Sequence, residues 1–97
     1  MSKLVRDKIP EIIKATGKNP KFYIANEQEY ETRLSQKLQE EVLEFLHAKN
    51  TEELADILEV VYALGSQLKI SPVQLENIRR KKAEERGAFS KKIILEQ

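Results

Sequence analysis

Apolar positions recur every three or four residues along three long stretches of the chain, the spacing of helices that each bury one face. The first stretch starts after Asn26, a helix cap with Glu29 at the capping-box position, and runs to about residue 47. Tyr30, Leu34, Leu38, Val42 and Phe45 form its stripe. The second starts at Asn50 or Thr51 and runs to about Lys69, with Leu54, Ile57, Leu58, Val61, Leu64 and Leu68 as its core and Val60 and Tyr62 on either side. Its apolar arc spans about 200°, wider than a helix packed on one neighbour requires. That width predicts partners on two sides and a bundle completed by another subunit. The third opens on Ser71-Pro72-x-Gln74, a capping box with proline at the first helical position, and reaches Arg86, where Gly87 suits a stop. A shorter helix precedes these three, capped by Asp7, with Pro10 in its first turn and Gly17 after its end. Val5, Ile9, Ile12 and Ile13 give it an apolar side.

Two segments break the helical rhythm. Residues 22–24, after Pro20, and residues 92–95 read as brief extended runs, and a two-stranded ribbon between them is expected. The expected fold is therefore all-α, one domain over residues 1–97. It is an antiparallel helix bundle completed by oligomerisation, with that short ribbon beside it. The short AKNT connection makes the two central helices antiparallel neighbours.

Acidic residues interrupt the pattern where it should be apolar. With Leu38 at zero and about 100° per residue, Leu34 falls near −40°, Glu41 near −60° and Tyr30 near −80°. Glu41 is thus inside the stripe. Lys37 and Glu44 flank it at roughly −100° and −120°, and Glu40, near −160°, projects well away. On the next helix Glu53 falls within the apolar arc and Asp56 just beyond it. Each helix therefore carries a pair of carboxylates three residues apart, Glu41 with Glu44 and Glu53 with Asp56, both close to the connecting loop. Burying an unpaired carboxylate is expensive, so this cluster needs a cation: a metal, or Lys37 or another basic partner. The plainer reading leaves the pairs solvated and makes Glu53 the capping-box partner of Asn50.

Composition narrows the choice of cation. The chain has no cysteine and one histidine, so thiolate and multi-histidine sites are excluded. Oxygen ligands point to Mg²⁺, or Mn²⁺, before Zn²⁺. A net charge of +1 gives no reason to expect nucleic-acid or membrane attraction. With no long apolar run and no signal-like start, a cytoplasmic location is expected. Arg79, Lys82 and Arg86 share one face of the last helix, on the side of Leu75 and Ile78, and are candidates to bind phosphate. They also suit the negative end of a helix dipole, or local pairing with Glu84 or Glu85. His47 projects away from the stripe, while Tyr62 and Phe89 read as packing residues.

The motifs EEVLE (40–44) and EELAD (52–56) resemble the ExxE…ExxD signature of the MazG-like all-α nucleotide pyrophosphohydrolases. The opening KLVRDKIPEII, the segment KLQEEVLEF and the close KAEERGAFSKKIIL are similar to the phosphoribosyl-ATP pyrophosphohydrolase-like branch. The resemblance covers nearly the whole chain. It implies a Mg²⁺-dependent hydrolase that converts a nucleoside triphosphate, or a related nucleotide, to the monophosphate and pyrophosphate. Glu41, Glu44, Glu53 and Asp56 match the family's metal ligands, and Lys82 and Arg86 match its basic C-terminal motif near the phosphates. Glu41, Glu44 and Lys37 are the candidate catalytic residues: one carboxylate as general base, the lysine against developing phosphate charge. A homodimer or homotetramer is expected, with a nucleotide as the other partner. Phosphoribosyl-ATP is the alternative substrate, and a non-catalytic helical interaction module is the alternative of a different class.

Overall fold

A computed structural model of the chain describes residues 2–96. Four helices follow in order: α1 (Ile9–Ala15), α2 (Glu27–Ala48), α3 (Thr51–Gln67) and α4 (Pro72–Arg86). The side chain of Asn26 accepts from Glu29 N, and that of Asn50 accepts from Glu53 N, so both central helices begin on an asparagine cap. At α4 the box closes in both directions, Ser71 Oγ accepting from Gln74 N and Gln74 Oε1 from Ser71 N.

Lys49 ends α2 in the left-handed conformation (φ 54°), and with Asn50 it turns the chain back so that α3 packs along α2. This hairpin provides most of the tertiary packing; α4 touches only α3. Leu34 of α2 (2% exposed) and Val60 of α3 (8%) are the buried apolar centre. Gly65 is buried where the chain folds back after α3, because a side chain there would meet Ile70, whose Cγ2 lies 3.2 Å from the position of a Cβ. The N-terminal segment lies back on α2. Arg33 holds it by donating to Ser2 O and Ser2 Oγ at 3.0 and 2.9 Å, and Lys3 adds an ion pair to Glu40 at 3.4 Å. No helix among the described residues is long and apolar enough to cross a membrane.

Several expectations need correction. The ribbon does not form: there is no strand among the described residues, and Phe22, Tyr23, Ile24, Ile93, Ile94 and Leu95 are all well exposed. Two such short segments could bury little by pairing, and isolated two-stranded ribbons are marginal. Asp7 does not cap α1; Lys8 occupies the cap position without a side-chain bond, after a turn closed by Ile9 N donating to Arg6 O. Glu29 does not complete a capping box, because Tyr23 Oη (2.6 Å) and Arg33 both donate to its carboxylate. The open side of α3 follows the expectation of a wide apolar arc that one neighbour does not cover. Leu54, Leu58 and Leu68 are exposed, with Leu43 and Leu46 of α2, because no second helix covers them in one chain. Phe89 is 95% exposed rather than packed, since Gly87 (φ 84°) ends α4 and the tail leaves without meeting another element.

Candidate functional site

Three of the four predicted carboxylates converge across the hairpin. Glu41 from α2 meets Glu53 and Asp56 from the first turns of α3, each offering an oxygen within 4.8 Å of the others. The cap at Asn50 sets this meeting by starting α3 so that positions 53 and 56 face back toward α2. Glu44 does not join that group. It lies with Glu40 and Glu41 in a second cluster of the same tightness, sharing Glu41 with the first. Glu40 is accordingly closer to the site than its helical projection placed it, because Lys37 draws its carboxylate round at 2.5 Å.

Glu41 is the buried charge, 6% exposed. Burial pushes its carboxyl up; Lys37, donating to Oε1 at 3.2 Å, pulls it down without cancelling that effect, and neighbouring Glu44 pushes it up further. Burial works against the Lys37 ammonium, but its bonds to Glu40 and Glu41 outweigh this and hold it above its ordinary value. Lys37 thus stays charged and satisfies one oxygen only. Glu41 Oε2 and Glu53 Oε2 are both buried without a hydrogen-bond partner. Glu53 is therefore not spent on its own helix cap, as the plainer reading had it. Unpartnered buried oxygens are costly. All donors in the set are hard oxygens, so the residues fit Mg²⁺ or Mn²⁺.

An open groove of about 660 Å³ leads away from these carboxylates, between α2, α3 and the N-terminal segment. Of the carboxylate cluster, Glu41 and Asp56 line it, with Lys37 and Glu59; Ile9, Tyr30, Leu34, Val60 and Ala63 give it apolar walls. That volume is within the usual range for small-molecule sites. Arg6, to which the sequence reading gave no role, lines the groove and donates to Asp56 Oδ1 at 2.6 Å. Its signal was available in the VRDK opening, but nothing in the periodicity joins residue 6 to residue 56.

The basic trio stands elsewhere. Arg79, Lys82 and Arg86 are exposed on α4, and none lines the groove of its own chain. Arg79 donates to both oxygens of Glu76, at 2.9 and 2.5 Å, so its charge is already engaged. His47 is exposed, as expected, and Tyr62 is half-buried.

With this geometry in view, comparison with known proteins gives two matches of different reach. The family model described as phosphoribosyl-ATP pyrophosphohydrolase matches residues 5–85. An uncharacterised protein of Mycolicibacterium smegmatis is 46% identical over 55 residues, which is 57% of this chain. The match spans 55% of that relative's length. No solved structure matches the chain.

Proposed function

The chain belongs to the phosphoribosyl-ATP pyrophosphohydrolase family, within the MazG-like all-α superfamily, and from that premise we propose that it hydrolyses a nucleoside triphosphate, or a related nucleotide, to the monophosphate and pyrophosphate. The observation that carries this reading is the pair of buried, unpartnered oxygens on Glu41 and Glu53, converging with Asp56. Glu41, Glu53 and Asp56, with Glu44 alongside, would hold Mg²⁺. When bound, the ion neutralises phosphate oxygens, orients the chain of phosphates and lowers the pKa of a coordinated water.

The remaining roles fall to the protein's own groups. A carboxylate of the Glu41–Glu44 pair takes the proton of the attacking water. Lys37, held charged by Glu40 and Glu41, stabilises negative charge that builds on the phosphoryl oxygens. The apolar walls at Tyr30, Leu34 and Val60 receive the base and ribose. Lys82 and Arg86 are assigned to the distal phosphates, reached from α4 of a neighbouring copy.

The family's description favours a second reading, in which phosphoribosyl-ATP is the substrate. One experiment covers both: pyrophosphate release with Mg²⁺, measured over a panel of nucleoside triphosphates and phosphoribosyl-ATP. Wild-type protein is expected to turn over at least one of them, and Glu41→Gln with Asp56→Asn to abolish turnover. The same double variant should lose the rise in melting temperature that Mg²⁺ gives by binding only the folded state. No turnover on any substrate, together with an unchanged Mg²⁺ response in the double variant, would leave a non-catalytic helical module as the answer.

A further inference from the structure

Arg6 is the one cationic group in direct contact with Asp56 among the described residues, and it arrives on a segment anchored independently of that contact. Arg33 fixes the backbone at Ser2, and Lys3 pairs with Glu40, so residues 2–6 are drawn across from α2 to α3. The guanidinium ends on Asp56 Oδ1 at 2.6 Å, at the edge of the carboxylate cluster and inside the groove. Both partners remain partly exposed, at 54% and 38% of their side-chain surface, so the pair is weak enough to be exchanged. A ligand oxygen cannot serve a metal and a guanidinium equally well in one geometry.

We propose that Arg6 is an exchangeable counter-ion: it neutralises Asp56 in the metal-free protein, yields that carboxylate to the metal, and then turns its guanidinium to the phosphates in the same groove. This rests on the function proposed above. Arginine suits the second half of the role, because its planar fork binds a phosphate through two parallel N–H donors. Its tether suits the first half, because the anchored segment keeps the group beside the cluster once displaced. Arg6 is thus a phosphate-positioning residue supplied by the N-terminal segment, in addition to the basic residues of α4.

The two halves predict opposite signs for one substitution. Mn²⁺ affinity is read by titration calorimetry or by the loss of the free-ion paramagnetic resonance signal. Inorganic pyrophosphate is then titrated into the Mn²⁺-loaded protein. Arg6→Gln should bind Mn²⁺ about two- to fivefold more tightly, since a competing surface-type ion pair has been removed. It should bind pyrophosphate about tenfold more weakly, for want of a charge-assisted contact. Arg6→Lys should restore Mn²⁺ affinity toward wild type but recover pyrophosphate binding only in part. Lys14→Gln removes the same charge from the exposed end of α1, where Lys14 makes no ion pair among the described residues, and should leave Mn²⁺ affinity nearly unchanged. Equal tightening in Lys14→Gln and Arg6→Gln would reduce the effect to net charge and overturn the proposal. So would unchanged Mn²⁺ and pyrophosphate affinities in Arg6→Gln, with the proposed activity intact. If wild-type protein binds no Mn²⁺ at all, the functional reading itself fails and takes this inference with it.

Discussion

At the scale of single residues, two knots of charge gather around α2, one at Glu41 and one at Glu29. The first was legible in the sequence, because a glutamate placed among Leu34, Leu38 and Tyr30 on a helical projection contradicts the pattern unless something compensates it. Projection fixes the Cα, however, and not the end of a long side chain. That is why Glu40 appeared remote and yet turns toward Lys37. Only half of the second knot is written in the periodicity. Arg33 meets Glu29 at the i,i+4 spacing of one helix, whereas Tyr23 reaches it from the segment before α2, a contact that no helical period encodes. Tyr23, followed by Arg33, holds the Glu29 carboxyl below its ordinary value of 4.5. A carboxyl depressed by folding stabilises the fold above its unfolded pKa, and that contribution disappears as pH falls through the lower, folded value. Wild-type protein should therefore melt above Glu29→Gln by a constant margin at neutral pH, a margin that closes only below about pH 4.5. Paired melting curves from pH 7 to pH 3 check this, and a margin independent of pH would refute it.

At the scale of elements, caps decided what could be read. Asn26, Asn50 and Ser71 carry local chemistry sufficient to start a helix, and all three do so. The ends were harder, since α2 and α3 both stop without glycine. At the end of α3, Lys69 adopts φ 62°, Ile70 N donates to Gly65 O at 2.9 Å, and Lys69 N donates to Ser66 O at 3.0 Å. This pair of bonds is a Schellman motif with a lysine at its left-handed position. A side chain there is strained, and glycine would relieve the strain. Lys69→Gly should raise stability by about 1 kcal/mol despite the added freedom of the unfolded chain, as measured by denaturant unfolding. The start of α1 was misread for a related reason. Asp7 has the right chemistry for a cap, but the turn from Arg6 to Ile9 takes up the position it would need. The ribbon failed because β-prone composition names a conformation without supplying a partner.

At the scale of the whole molecule, the surface is too large for one chain. An 11.3 kDa globular protein should expose roughly 5,700 Å², whereas this chain exposes 9043 Å². The radius of gyration, 17.2 Å, exceeds the roughly 12.5 Å of a compact domain of this length. The excess is about 3,300 Å² per chain, whereas obligate interfaces bury roughly 1,000–2,500 Å² or more per partner, so it is enough for one large interface or two. Leu43, Leu46, Leu54 and Leu58 supply its apolar part. The width of the apolar arc on α3 had already pointed to a second partner, and Leu54, Leu58 and Leu68 of that arc are exposed; Leu43 and Leu46 of α2 were not legible as part of the same open surface. Light scattering at micromolar concentration should give the mass of a dimer or tetramer. A monomeric mass with the helices intact would contradict this. The phosphate role proposed for Lys82 and Arg86 rests on assembly as well, since neither residue lines the groove of its own chain.

The carboxylates of the hairpin have a consequence in time as well as in space. Glu41 and Asp56 are separated by fifteen positions, with a two-residue turn near their middle. Contacts this close in sequence form early, before those that must wait for long loops or for a second molecule. The ion proposed to join the two helices would therefore act on a structure formed by the time the folding barrier is crossed. Mn²⁺ should raise the refolding rate while leaving the unfolding rate nearly unaltered, since interactions made in the transition state register on the folding limb. Stopped-flow refolding with and without the ion would separate the limbs. A purely slower unfolding limb would instead mean that the hairpin closes late, after the subunits have met.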